Sequence, residues 1–182
     1  ILMIMTKISF FSRVLDLIAP RACAVCGRRL SITEEPLCAT CNIALPRTNC
    51  HFQPLDNEVA QLFWGRIPIE KCAAYFFYKP NSASSYLIYK LKYFDRPDIG
   101  EQFGRLIAAE YATQNFFDGI TALLPVPLTK RRTIQRGYNQ SLEIAHGVSA
   151  VTGIPILKNT IKRTSFVDSQ TQKDMWERTK NV

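Results

Sequence analysis

The chain has 182 residues, of which 47% are hydrophobic and 21% charged, a balance typical of globular proteins and outside the disordered range. This length allows one medium domain, or a small module followed by a domain of about 100 residues. The net charge is +8, and residues 120–182 carry most of it, with ten Lys or Arg against four Asp or Glu. Such a surplus suits a polyphosphate, a phosphosugar or a nucleic acid, because all three present phosphates, and charge alone does not choose among them.

The first 20 residues are apolar, but three charged residues interrupt them. No stretch reaches the roughly 18 apolar residues that a membrane span needs, and the apolar core is too short for a signal peptide. Ile8, Phe11, Leu15 and Ile18 fit one face of a helix. We therefore predict an amphipathic helix in residues 1–20, no membrane span and a cytoplasmic location.

Four cysteines follow as two Cys-x-x-Cys pairs with eleven residues between them, Cys23 with Cys26 and Cys38 with Cys41. Two such pairs can direct four thiolates at one tetrahedral Zn²⁺ ion. Disulfides would require an oxidising compartment, of which the sequence gives no sign. Each pair alone could be a redox motif, but two pairs at this spacing disfavour that interpretation. We predict that residues 21–50 form a small segment that binds a structural zinc ion.

Three further potential ligands lie outside these pairs. Cys50 and His51 could supplement the zinc site, exchange with it, or help to form a second one, but we favour the interpretation that these two residues and Cys72 are packed side chains. Residues 51–72 show little periodicity and are predicted to be a connector.

The next stretch predicts one strand and two helices. An aromatic run at residues 73–78 indicates a short strand. Residues 82–94 have helical spacing, and Asp98 can cap a second helix beyond them. The aromatic residues and lysines that alternate at residues 86–96 could form a nucleic-acid surface, although we favour the edge of an amphipathic helix.

An apolar run at residues 123–128 ends in two prolines, which indicates a buried strand that terminates at a loop. Four cations fall within residues 130–136, Gly137 allows close approach of a ligand, and a helical pattern begins after Asn139. A basic loop would thus join the end of a strand to the N-terminus of a helix, where α/β proteins bind anions. We predict a phosphate site there, with a solvated basic loop as the alternative. Residues 154–157 and 160–162 indicate further short strands, and the polar residues 163–180 indicate a mobile loop.

The order of these motifs resembles that of the ComF family. The most specific part is Arg-Gly-Tyr-Asn-Gln at residues 136–140 following Pro-Val-Pro-Leu at residues 125–128, and the cysteine pattern supports it independently. The resemblance implies a zinc-binding segment joined to a type I phosphoribosyltransferase-like α/β domain at residues 73–182, associated with DNA uptake and amidophosphoribosyltransferase-type activity.

The resemblance also implies roles for individual residues around phosphoribosyl pyrophosphate (PRPP) and its Mg²⁺ ion. Arg136, Arg163 and Arg178 would stabilise the charge of the leaving pyrophosphate, and a flexible loop with Thr164 and Gln170 would close over the substrate. The implied PRPP contacts are Pro125, Val126, Pro127, Lys130, Arg131, Arg132, Gly137, Tyr138, Asn139 and Gln140.

Two departures from the family's pattern affect these expectations. The second set of cysteine pairs is not intact, and no strand ending in two acidic residues before a Thr/Gly-rich loop occurs in residues 1–182. We therefore expect an incomplete transferase domain and little catalysis by this chain alone. The expected function is phosphoribosyl transfer to an amine or base; the alternative is a non-catalytic accessory protein of DNA uptake that binds single-stranded DNA or a helicase-like partner.

Overall fold

The computed structural model describes residues 20–163, which form a mainly helical molecule with little strand. No helix in this part of the chain is long and apolar enough to cross a membrane. The predicted N-terminal helix lies almost wholly outside the described residues, and Thr164, Gln170 and Arg178 of the predicted flexible loop lie wholly outside them. The helices are α1 (Ala39–Ile43), α2 (Glu58–Gln61), α3 (Ala83–Tyr93), α4 (Pro97–Ala112), α5 (Lys130–Arg136) and α6 (Gln140–Thr152), with a short 3₁₀ helix at Cys50–Phe52.

Extended backbone pairs at only three places in residues 20–163. Ala22 pairs with Arg29 and Arg47 with Phe76, both antiparallel, whereas Leu123 pairs with Ile156 in parallel. The predicted strands at 73–78, 123–128 and 154–157 are thus reduced to single pairings, and residues 160–162 form none. Prolines explain much of this difference, because those at positions 46, 125, 127 and 155 have no N–H to donate to a ladder.

Helices α3 and α6 match the sequence pattern. Ser82 precedes α3 and forms a capping box with Ser85, and the side chain of Asn139 accepts a hydrogen bond from the Ser141 N–H at the start of α6. The bonds at both helix starts satisfy N–H groups that have no partner inside the helix.

The predicted cap of the next helix is wrong. Helix α4 begins at Pro97 with Arg96 at the N-cap position, and Asp98 lies in the first turn. There its carboxylate accepts two hydrogen bonds from the Arg96 guanidinium, at 2.8 and 2.6 Å. Proline is favoured at the first helical position because its missing N–H would have had no partner.

The predicted basic loop is also wrong, since its four cations lie on the short helix α5. Thr129 caps this helix by accepting a hydrogen bond from the Arg132 N–H, and Gly137 ends it with a φ of +76°. A Thr before the segment and a Gly after it are helix start and stop signals in the sequence. The four cations between them favoured a loop in the sequence analysis instead.

The close packing of α4 on α6 depends on two glycines. A Cβ atom on Gly104 would lie 2.1 Å from the Ile144 carbonyl oxygen, and one on Gly147 would lie 1.9 Å from the Glu101 carbonyl oxygen. Any side chain at either position would force the two helices apart.

One hydrophobic core connects the cysteine segment to the helices that follow it. The buried members come from the cysteine segment, from the extended residues before α3, and from α3 and α4. The cysteine segment therefore does not fold around a separate core but shares one with α3 and α4. The core side chains include Leu30, Leu37, Leu45, Tyr75, Leu87, Leu91, Ile99 and Phe103.

Candidate functional site

The four paired cysteines come together in one cluster. The Sγ atoms of Cys23, Cys26, Cys38 and Cys41 all lie within 4.8 Å of one another. Cys26 and Cys38, from different pairs, have Sγ atoms 3.8 Å apart. A Zn–S bond of about 2.3 Å in a tetrahedron gives an S···S separation of about 3.8 Å. This cluster could therefore hold a metal ion such as zinc, and none of its cysteines forms a disulfide.

The backbone around the first pair forms the tight turn that such a cluster needs. The Gly27 N–H donates to the Cys23 carbonyl at 3.0 Å, and the Cys23 N–H donates to the Arg28 carbonyl at 2.8 Å. Gly27 has a φ of +72°, which glycine adopts without the steric cost that a side chain brings. The Cys38 N–H donates to the Cys23 sulfur at 3.4 Å, which joins the two pairs.

The thiols of the cluster differ in acidity. Burial opposes ionisation of Cys23, but backbone N–H groups of Cys26, Cys38 and Val25 outweigh it and lower the pKa to about 7. Burial, followed by hydrogen bonds with the neighbouring thiols, raises the pKa of Cys41. A bound metal cation deprotonates coordinating thiols outright. It would therefore stabilise the thiolate form, which is otherwise unfavourable for several neighbouring thiols in one cluster.

Cys50, His51 and Cys72 join no cluster of three metal-ligating groups in residues 20–163. His51 is buried, and its ring stacks on Tyr111 at a centroid distance of 4.5 Å and an interplanar angle of 18°. Asn57 Nδ2 donates to the carbonyl oxygen of Cys72 at 2.8 Å and lies 3.4 Å from that of Cys50. These contacts are those of packed residues, the interpretation that the sequence favoured.

A cleft of about 450 Å³ lies where the parallel segments end. The Leu123 N–H donates to the Pro155 carbonyl at 2.8 Å, and the Leu157 N–H donates to the Leu123 carbonyl at 2.9 Å. Both segments continue past this pairing into the cleft wall, beside Asn139 and Leu142 at the start of α6. The cleft thus opens at the C-terminal ends of parallel backbone, where α/β proteins bind ligands.

The cleft combines apolar walls with a positive charge. Four cationic residues line it, Lys130, Lys158, Lys162 and Arg163. Among the described residues, no acidic side chain lines it. Leu128, Leu142, Leu157 and Ile161 supply apolar surface, and Thr133, Asn139, Asn159 and Thr160 supply hydrogen-bonding groups. An anion with an attached organic group fits this chemistry.

The structure brings only some of the predicted ligand residues to the cleft. Those that line it are Pro125, Pro127, Lys130, Asn139 and Arg163. The predicted residues that do not line it are Val126, Arg131, Arg132, Arg136, Gly137, Tyr138 and Gln140.

Residues of the Arg-Gly-Tyr-Asn-Gln motif hold the backbone around the cleft in place, and of these five only Asn139 also lines it. Arg136 donates to the Gln140 side chain at 2.9 Å, and Tyr138 donates its hydroxyl hydrogen to the Leu91 carbonyl at 2.6 Å, which ties the start of α6 to α3. Asn139 donates to the Val126 carbonyl at 3.1 Å while it caps α6. The Arg-Gly-Tyr-Asn-Gln motif therefore mainly positions the backbone of the cleft.

Sequence reasoning missed Lys158, Asn159, Thr160, Ile161 and Lys162. They follow the segment that pairs with Leu123, and they reach the cleft because that pairing is parallel. The available signal was Lys158 directly after the apolar run at residues 154–157, with Lys162 four positions later, much as Lys130 follows the run at residues 123–128.

Searches against protein-family models, curated proteins and solved structures find no match to the chain. The class that the structure itself defines is a mainly helical protein with a four-cysteine cluster able to hold a metal ion and a cation-lined cleft.

Proposed function

We propose that this chain is a ComF-like member of the phosphoribosyltransferase family, that its cleft binds Mg–PRPP, and that the chemistry is transfer of a phosphoribosyl group to an amine or base. The observation that carries the proposal is the cleft with four cations at the C-terminal ends of two parallel segments. The parallel pairing across α6 is the arrangement from which an α/β sheet of that family would extend.

Each part of the lining has a task in this chemistry. Lys130, Lys158, Lys162 and Arg163 would balance the charge of the pyrophosphate as it leaves, and Thr160 would donate hydrogen bonds to phosphate oxygens. Mg²⁺ would enter bound to the pyrophosphate and neutralise part of its charge, since the lining offers no carboxylate. The apolar wall would exclude water from the ribose carbon until the acceptor attacks.

We assign a structural role to zinc in the cysteine cluster. Four thiolates complete a tetrahedron and leave no open position for a substrate. Cys23 and Cys38 are buried and belong to the hydrophobic core, so the metal would fix residues 21–50 against the helices. A zinc site with reduced cysteines agrees with our proposed cytoplasmic location.

The experiment is calorimetric titration of the chain with PRPP, with and without Mg²⁺. We expect saturable binding that requires Mg²⁺ and falls at least tenfold in Lys162→Ala and in Arg163→Ala. Lys79→Ala is the matched control, because Lys79 is exposed and does not line the cleft. Absence of Mg²⁺-dependent binding, or equal affinity in all variants, would contradict the proposal.

The variant Arg136→Ala distinguishes a direct role of Arg136 in binding PRPP from a role in positioning the cleft. The family resemblance makes Arg136 a charge stabiliser, whereas its guanidinium lies against Gln140 with Nε buried and without a hydrogen-bond partner among residues 20–163. Loss of PRPP binding beyond that of Lys162→Ala would support a direct role, and a lower melting temperature with unchanged affinity would support a positioning role.

The second candidate is a non-catalytic accessory protein of DNA uptake that binds single-stranded DNA or a helicase-like partner. It is favoured by the cation surplus, together with exposed aromatic side chains on α3. Nucleic-acid binding should weaken steeply as salt rises and should not compete with Mg–PRPP, unlike binding in the cleft. A competition titration at two salt concentrations therefore distinguishes the candidates.

A further inference from the structure

Helix α3 has two different apolar faces. Ser84, Leu87 and Leu91 are buried against the core. Tyr86, Tyr89 and Tyr93 follow one another at spacings of three and four residues, so they share a face of the helix that points away from the core. We call these three residues the tyrosine stripe.

The tyrosine stripe is exposed to solvent. Tyr86, Tyr89 and Tyr93 have exposed fractions of 52, 53 and 55%, and Phe94, at the end of the helix, has 48%. The Tyr89 ring lies 4.9 Å from that of Tyr93 and 5.5 Å from that of Phe94, centroid to centroid. The rings of Tyr89, Tyr93 and Phe94 therefore form one contiguous aromatic surface, with Tyr86 on the same face of the helix, and exposed apolar surfaces of this kind mark binding sites.

Cations of α3 border this surface, and the first acidic residue after it in the chain is Asp95. Lys90 and Lys92 follow Tyr89 on opposite sides of the stripe, because successive helical residues are offset by about 100°. The Lys90 ammonium lies 4.2 Å from the Phe94 ring centroid, a cation–π contact that keeps the charge at the aromatic surface. Residues 83–94 contain no Asp or Glu.

We propose that the tyrosine stripe, with Phe94 and Lys90, is a stacking platform for single-stranded nucleic acid. Each ring offers a face to one unpaired base, and the lysines neutralise the adjoining phosphates. A duplex keeps its base faces stacked inside the helix and would use only the lysines. This inference rests on the second candidate function for the class of partner, but it places the contact on α3, on residues that do not line the cleft.

Its geometry also favours nucleic acid over a peptide partner. Aromatic side chains that bind peptides usually line a groove, whereas these three tyrosines stand on the outer face of one helix. Tilted rings, at 44° between Tyr89 and Tyr93, can each meet a separate base of a flexible strand. A flexible strand can follow that convex surface, since its bases rotate independently.

The test measures binding of a labelled oligothymidylate to the full chain by fluorescence anisotropy, with the matching duplex as a second probe. We expect Tyr89→Ala to weaken single-strand binding about 5- to 150-fold, the range expected when one base loses its stacking partner. Tyr89→Phe should retain binding because it keeps the ring, whereas Tyr89→Leu should lose it despite its apolar bulk. Lys162→Ala serves as the cleft variant, and thermal unfolding of every variant checks that the fold is intact.

Each possible result supports or overturns the platform. Loss of single-strand binding in Tyr89→Ala and Tyr89→Leu, with binding kept in Tyr89→Phe and Lys162→Ala, supports it. Loss in Lys162→Ala alone overturns the platform but leaves nucleic-acid binding standing. No single-strand binding by the wild type overturns both the platform and single-stranded DNA as the partner in the second candidate function. Equal affinity for duplex and single strand, unaffected by Tyr89→Ala, overturns stacking in favour of simple charge attraction.

Discussion

The sulfur atoms of Cys26 and Cys38 lie 3.8 Å apart although the residues belong to different Cys-x-x-Cys pairs. That separation equals the edge of a tetrahedron of thiolates around zinc, about 3.8 Å for Zn–S bonds of about 2.3 Å. A metal ion bound there would be coupled to the fold of residues 21–50, because its four ligands come from both ends of that segment.

Removal of the metal should loosen this segment first. We expect about one zinc ion per chain in the wild type, loss of that ion in Cys38→Ser, and faster amide hydrogen exchange in residues 21–50 on chelation. Elemental analysis and hydrogen exchange measured by mass spectrometry provide the readouts. Cys72→Ser is the control that should keep its zinc, because Cys72 lies outside the cluster. Unchanged exchange after complete metal removal would rule out the structural role.

Replacing a glycine at the α4–α6 contact with a residue that has a side chain should strongly destabilise the protein. Gly147→Ala places a Cβ 1.9 Å from the Glu101 carbonyl oxygen, so we expect a loss of about 1–3 kcal/mol or more in the free energy of unfolding. Urea denaturation measures it. Ala109→Ser, at an exposed position on α4, should change stability by less than about 0.5 kcal/mol. Equal stability of the two variants would show that these helices do not pack as described.

Two arginine–glutamate pairs should contribute differently to the free energy of unfolding despite their similar chemistry. The Arg47 guanidinium lies 4.2 Å from the Tyr75 ring centroid and 3.4 Å from the Glu110 carboxylate, and both charged side chains are less than one-third exposed. Arg105 and Glu101 are closer, at 2.7 Å, but 47 and 41% exposed.

We expect Arg47→Ala to cost about 1–3 kcal/mol of unfolding free energy, because within residues 20–163 it leaves the Glu110 carboxylate with the Tyr75 hydroxyl as its one remaining hydrogen-bond partner. Arg105→Ala should cost only about 0.3–0.5 kcal/mol, since water screens an exposed pair. Parallel denaturant titrations compare the two variants. A larger loss in Arg105→Ala would reverse the ranking and refute this account of the interior pair.

The burial of His51 predicts a dependence of stability on pH. Burial lowers the pKa of His51; the Glu110 charge raises it in part, and the Arg47 charge lowers it again. The folded pKa therefore lies below the unfolded value of about 6.5, so folding favours the neutral ring. Its contribution is complete above about pH 6.5 and is lost as the pH falls through the folded pKa.

Replacement by Phe tests this directly, because a phenyl ring can still stack on Tyr111 but does not titrate. His51→Phe should lose less stability than the wild type between about pH 7 and about pH 5. Urea midpoints at each pH measure the difference, with zinc content confirmed at every point so that metal loss does not contribute. Identical pH profiles would show that His51 keeps an ordinary pKa.

Much of the local structure could be predicted. The periodic apolar residues predicted α3 and α6, and the structure adds that Ser82 and Asn139 cap them, since a helix start depends on side chains within one turn of it. Helix α5 was missed although Thr129 and Gly137 mark its ends, and the strands were overestimated because prolines interrupt the ladders.

The sequence by itself determined the cysteine cluster, because each Cys-x-x-Cys turn orients its own two thiols, and short contacts of Cys38 with Cys23 and Cys26 then join the pairs. Only the tertiary structure decided which cations share the cleft. Lys158 and Lys162 reach it through the parallel pairing of Ile156 with Leu123, whereas Arg136, in the predicted motif, contacts Gln140 instead. That pairing joins residues more than thirty positions apart, and its register depends on how the intervening α6 packs on the glycines of α4.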